Sequence, residues 1–188
     1  MRPMTVSVGR SGNRTACGGC PALSRESRCE IPNGELCLTP AASTKHQRVR
    51  LRLAVLLFRE VEMKGLGTVL GGPCSVMLSP RDIVRPDMLV VRRNRTGIIG
   101  KRMVVGPPDL AVDIVSDRGG LKGRGTIYAS SGIPECWVVD PVAESIEIRT
   151  WSELGYVSAV ARGGANLPAS PLLPGLRLRV SDVFRFRF

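Results

Sequence analysis

Between Pro108 and Ser116 the chain reads Asp109-Leu110-Ala111-Val112-Asp113-Ile114-Val115, an apolar run with an acid in its middle. A run of this length, bounded by proline on one side and serine on the other, fits a buried strand. An aspartate inside such a strand is costly unless it is paired or holds a cation. A second run, Met88-Leu89-Val90-Val91, is entered through Pro86-Asp87 and brings another acid to the start of a strand. If the two strands are neighbours, Asp87 and Asp113 meet in an oxygen-rich Mg²⁺ site that keeps positions open for water and a substrate phosphate. Lys122, the one lysine downstream of both acids, is then placed to orient that water or meet the phosphate. The plainer alternative is that Asp87 caps the turn after Pro86 while Asp113 faces solvent from a sheet edge.

The rest of the chain supplies elements around these strands. Pro32-Asn33-Gly34, between Glu30-Ile31 and Glu35-Leu36, is a hairpin turn, because Asn and Gly tolerate positive φ. From His46 to about Lys64, Val49, Leu53, Leu56 and Leu57 fall on one helical face. Three strands are expected next, at 68–70, 75–78 and 88–91, followed by the strand at 110–115 and a short helix at 126–131. Cys136 to Val139 forms another buried strand, and Ile146 to Trp151 pairs with Tyr156 to Val160 in a closing antiparallel ribbon. Residues 1–25 mix Gly, Ser, Arg and Pro without a period, as in a poorly ordered leader, so the folded domain is expected over 26–188.

A length of 188 residues and a hydrophobic fraction of 43% suit one domain with a real core. The formal charge of +11 makes a polyanion the natural partner, although the cations are mostly arginines and could be spread over the surface. No apolar run reaches the ~18 residues needed to span a bilayer, and no apolar signal region opens the chain, so a cytoplasmic protein is expected. Cysteine usage then points to thiols; Cys17-Gly18-Gly19-Cys20 has half the spacing of a zinc knuckle, but Cys29 and Cys37 do not repeat it. His46, the single histidine, reads as a structural residue at a helix start, and Tyr128 and Trp137 read as core. Aromatic residues at 4% speak against a single-strand binder built on stacking.

Several segments taken in order resemble a known family. They are Val84-Arg85-Pro86-Asp87-Met88-Leu89-Val90-Val91, Gly106-Pro107-Pro108-Asp109 through Ser116, Tyr128-Ala129, and Gly132-Ile133-Pro134-Glu135-Cys136-Trp137-Val138-Val139-Asp140-Pro141. Upstream they are joined by Glu30 to Leu36, Pro40 and His46-Gln47, and downstream by Pro171 to Leu176 and Asp182-Val183-Phe184. The series resembles the Uma-two family of restriction endonucleases, within the PD-(D/E)XK nuclease superfamily. The resemblance implies an α/β (α+β) fold: a restriction-endonuclease-like mixed β-sheet flanked by helices, with an N-terminal β-hairpin and C-terminal strands. It implies Asp87 as a metal carboxylate and Asp113 where the family usually carries glutamate, with Glu35 or Glu30 adding an acidic contact from the hairpin. Counting back from Tyr128, the family lysine falls on Arg124, with Lys122 two residues out of register. Arginine can hold a phosphate but is a poor base. The implied activity is Mg²⁺-dependent (or Mn²⁺-dependent) hydrolysis of DNA, with a homodimer by analogy for cutting both strands. The alternative is a catalytically degenerate member that binds nucleic acid without cleaving it, since the segment before Arg124 is short and rich in glycine.

Overall fold

The computed structural model describes residues 5–6, 28–39, 42–72, 74–115 and 124–185. Cys17, Cys20, Lys122 and most of the expected leader lie outside them. In chain order the strands and helices are β1 (Thr5–Val6), β2 (Arg28–Glu30), β3 (Leu36–Thr39), α1 (Thr44–Leu57), β4 (Gly67–Gly71), β5 (Val76–Ser79), β6 (Asp82–Val84) and β7 (Met88–Arg92). They continue with β8 (Val104–Val105), β9 (Leu110–Ile114), α2 (Arg124–Ser130), β10 (Glu135–Asp140), β11 (Ser145–Ser152), β12 (Gly155–Arg162) and α3 (Val180–Phe184).

The main sheet has six strands in the order β12-β11-β10-β9-β7-β4. Only β9 and β10 run parallel, and their connection passes through α2, as a parallel pair requires. The centre of this mixed sheet is made of the strands whose sequences are apolar on both faces. Residues 88–91 and all of β9 are buried, whereas β11 is buried only in part and β12 is largely open apart from Ala161.

One face of the sheet is covered by α1. Ser43 caps it by accepting the His46 N–H at 3.2 Å, and Val49, Leu53 and Leu57 turn inward onto Met88, Val90, Leu110 and Val112. The helix continues as a single π turn over Phe58–Glu62. The chain after β12 closes the same face: Leu167, Leu173, Leu178, Val180, Val183 and Phe184 all join this core. That tail, with α3, was not expected as a packing element, since its apolar residues follow neither period.

The other face is shared by α2 and a small sheet in the order β6-β5-β8. Ile127, Tyr128 and Ile133 pack there on Leu89, Val91, Ala111 and Cys136. The strands β6 and β8 are additions to the sequence expectation, being only three and two residues long. The hairpin turn forms as expected, with Asn33 at φ 54° and Gly34 at φ 79°. It is fastened to the small sheet by a bridge between Ile31 and Ile83.

Candidate active site

β7 and β9 are antiparallel with Met88 opposite Val112, so Asp87 and Asp113 stand opposite each other one step beyond the last paired residues. Both are buried, at 4% and 3% exposure, so the expectation of a solvent-facing Asp113 does not hold. The Asp87 backbone continues the ladder by donating to Val112 O at 2.9 Å, and its Oδ2 accepts the Ile114 N–H at 2.8 Å. The strand edge thus fixes the carboxylate directly. Asp87 Oδ1 lies 3.2 Å from His46 Nε2, which reaches over from the first turn of α1.

Arg124, the first residue of α2, meets Asp113 from the other side. Its Nη1 donates to Asp113 Oδ1 at 2.6 Å, and its Nη2 donates to both Glu30 oxygens, at 2.7 and 2.6 Å. Glu30 Oε1 also accepts the Arg85 N–H at 3.0 Å. A single guanidinium therefore bridges a central strand to the N-terminal hairpin. Glu35 stands exposed just past the turn and shares none of these contacts. Of the two hairpin acids, it is Glu30 that turns inward.

Electrostatically this is a strained neighbourhood. Burial raises the proton affinity of Asp113, Arg124 opposes that rise, and the facing Asp87 adds to it. Burial likewise raises Glu30, again opposed by Arg124. Burial works against the charge on Arg124, but Asp113 and Glu30 outweigh it and hold the guanidinium more firmly protonated than usual. Tyr128, buried beside Asp113, is pushed well above the ordinary phenol range by the loss of solvent. Its hydroxyl lies against the Asp113 carboxylate, and His46 Nδ1 is buried without a hydrogen-bond partner among the described residues. Orphaned polar atoms of this kind cost stability and concentrate where function, rather than packing, selected the residues.

Among the described residues, no three His, Cys, Asp or Glu side chains converge as a metal cage. The donor set still suits Mg²⁺, which is commonly held by one or two carboxylates and completes its shell with water and phosphate oxygens. Asp87 and Asp113 are such a pair. The sequence pointed to these two and Arg124, and to Glu30 as one of two hairpin acids, but it offered no link from His46 to them.

A six-stranded mixed sheet with acids at the ends of adjacent central strands is the restriction-endonuclease-like fold. It is shared with a crystal structure of a putative nuclease belonging to DUF820 from Anabaena variabilis, at a TM-score of 0.69 and 16% identity, covering 83% of this chain and 89% of that one. The family model Uma2, described as putative restriction endonuclease, matches residues 20–181, and the chain belongs to that family. None of the curated proteins matches it. No helix among the described residues is long and apolar enough to cross a membrane.

Proposed function

We propose that the protein is a Mg²⁺-dependent endonuclease that hydrolyses phosphodiester bonds in DNA at Asp87 and Asp113. The observation that carries this reading is the pairing of two buried aspartates, opposite each other on adjacent strands, with a buried arginine on one of them. Two ionisable acids at that proximity raise each other's energy, and a native protein tolerates them where a cation is to be bound. Mg²⁺ held by Asp87 and Asp113 would supply positive charge to the phosphorane and lower the pKa of an attacking water.

The remaining roles fall to the chain itself. His46 and the Ile114 N–H hold Asp87 in place. Arg124 keeps its proton, so it serves to neutralise phosphate charge rather than to act as a base. To reach a phosphate, its guanidinium must loosen one of its two carboxylate contacts. That double commitment favours one alternative reading, a degenerate member that binds nucleic acid with Arg124 locked between Asp113 and Glu30. The net charge of +11 serves either reading.

The deciding experiment is incubation of the full chain with supercoiled and linear DNA in Mg²⁺, Mn²⁺ or EDTA, beside Asp87→Asn and Asp113→Asn. Metal-dependent nicking lost in both variants is the expected result. Folded protein that binds DNA and never cuts it overturns hydrolysis in favour of the alternative.

A further inference from the structure

The sheet face that carries Asp113 continues past it. In register, Asp113 sits beside Val138, Val138 beside Glu147, and Glu147 beside Val160, so all four belong to one row on one face. The neighbouring row runs Cys136, Arg149, Ser158. This face forms a cavity of about 680 Å³ between α2 and the β11–β12 ribbon, lined among others by Val115, Gly125, Thr126, Arg149, Ser158 and Arg162. A volume of this order accommodates a nucleotide-sized group.

Arg149 is the built feature of the cavity. Its Nε and Nη2 donate to the two Glu147 oxygens at 2.7 and 3.1 Å, which fixes the plane of the guanidinium. Nη1 takes no hydrogen bond among the described residues, and the side chain is only a quarter exposed. A β-carbon on residue 125 would stand 3.2 Å from Nη1, so the guanidinium passes closely under the first turn of α2, one residue from Arg124. Glycine at 125 leaves the room for that approach. Held by Glu147 and aimed at the start of α2, Arg149 presents a fixed donor on the same face as Asp113.

We propose that this cavity seats a phosphate of the nucleic-acid strand next to the one at Asp87 and Asp113, with Arg149 Nη1 as its donor. A guanidinium with one edge held by a carboxylate keeps its other donors oriented for a phosphate oxygen. The Thr126 hydroxyl and Arg162 are the further donors on the cavity wall, while its acids are engaged: Glu147 by Arg149 and the Ser158 side chain, and Asp140 Oδ1 by the Val142 and Ala143 N–H groups. The proposal rests on the nuclease reading for the identity of the strand, and on the cavity geometry for the contact.

The test is DNA binding by the full chain in EDTA, followed by fluorescence anisotropy over a salt series. Arg149→Met is expected to weaken binding about tenfold and to flatten the log–log salt slope by about one, as loss of one phosphate contact does. Arg149→Lys recovers the slope and part of the affinity, and Arg59→Gln, in the π turn after α1, leaves both unchanged. Ser158→Glu, on an exposed strand position, places a carboxylate in the cavity without touching the core and is expected to weaken binding at least as much; it tests the same contact should Arg149→Met fail to fold. Parent affinity and slope in Arg149→Met and Ser158→Glu overturn the proposal, as does an equal loss in Arg59→Gln. Arg149-dependent binding by a parent that cuts nothing in Mg²⁺ or Mn²⁺ leaves this contact standing and removes hydrolysis. Metal-dependent cutting with binding indifferent to Arg149 does the reverse.

Discussion

Two buried acids less than twenty-five residues apart in sequence are treated in opposite ways. Glu135, at the start of β10, is 1% exposed, and its partners are neutral donors. Trp137 Nε1 and Ser170 Oγ both donate to Oε1 at 2.6 Å, and the Leu172 N–H donates to Oε2 at 3.0 Å. Two of those donors come from the tail after β12, so the carboxylate staples that tail across the core face. Asp113 faces the other side of the sheet, opposite a second aspartate, and is balanced by a charged arginine, with the buried Tyr128 hydroxyl against it. The first arrangement is what stability asks of a buried acid; the second keeps facing charges in a place where a cation and a phosphate have use for them. Burial alone therefore does not mark a site. The character of the partners does.

The contrast can be broken by neutralising each acid in turn. The largest effect is expected on cleavage: Asp87→Asn or Asp113→Asn lowers metal-dependent DNA nicking by at least about 10³-fold, the scale of several kcal/mol that a bound metal contributes. The same two variants are expected to unfold in urea within about 1 kcal/mol of the parent, because each removes one of two facing charges and keeps an oxygen acceptor. Glu135→Ala should reverse both results. Leaving three buried donors without an acceptor costs about 3–5 kcal/mol, read from the urea midpoint, with Glu135→Gln intermediate. A Glu135→Ala protein as stable as the parent, or an Asp113→Asn protein that loses as much stability as activity, erases the distinction.

Arg124 gives the next, smaller test. Arg124→Met leaves Asp113 and Glu30 buried without their cation and is expected to cost about 2–4 kcal/mol, whereas Arg124→Met combined with Glu30→Gln recovers about half of that. Additive losses in the double variant would mean that the guanidinium packs there without bridging the two acids.

The acids that lie in apolar runs were legible in the sequence because burial and charge conflict within a few residues. Asp87 and Asp113 could be read that way, and with them the central strands. Arg124 could be placed only by counting back from Tyr128 along the family resemblance. The choice between Glu30 and Glu35 turned on where the hairpin points, which is set by the bridge from Ile31 to Ile83, a contact some fifty residues away in sequence. His46 was assigned to structure because nothing local links a helix start to the entry of β7. Arg149 alternates with apolar neighbours on a ribbon strand, and in sequence that is indistinguishable from a solvated surface arginine. The tail after β12 has no period to read, since it packs through scattered side chains and one staple at Glu135.

The smallest expected effect is on the pH dependence of stability in EDTA. Burial raises the proton affinity of Asp113 in the folded chain, with Arg124 opposing. In the window between the ordinary aspartate range, near pH 4, and that raised value, the folded state binds more protons than the unfolded one, so stability falls as pH rises. The contribution is fully present below the window and gone above it. Asp113→Asn has no proton to lose there, so its stability should fall less than the parent's between pH 4 and neutrality, and the gap between the two curves should widen upward through the window. Urea midpoints across that range measure it. Parallel curves would mean that Arg124 compensates Asp113 completely, which would make the acid as well satisfied as Glu135 and remove the energetic reason for a cation to bind beside it.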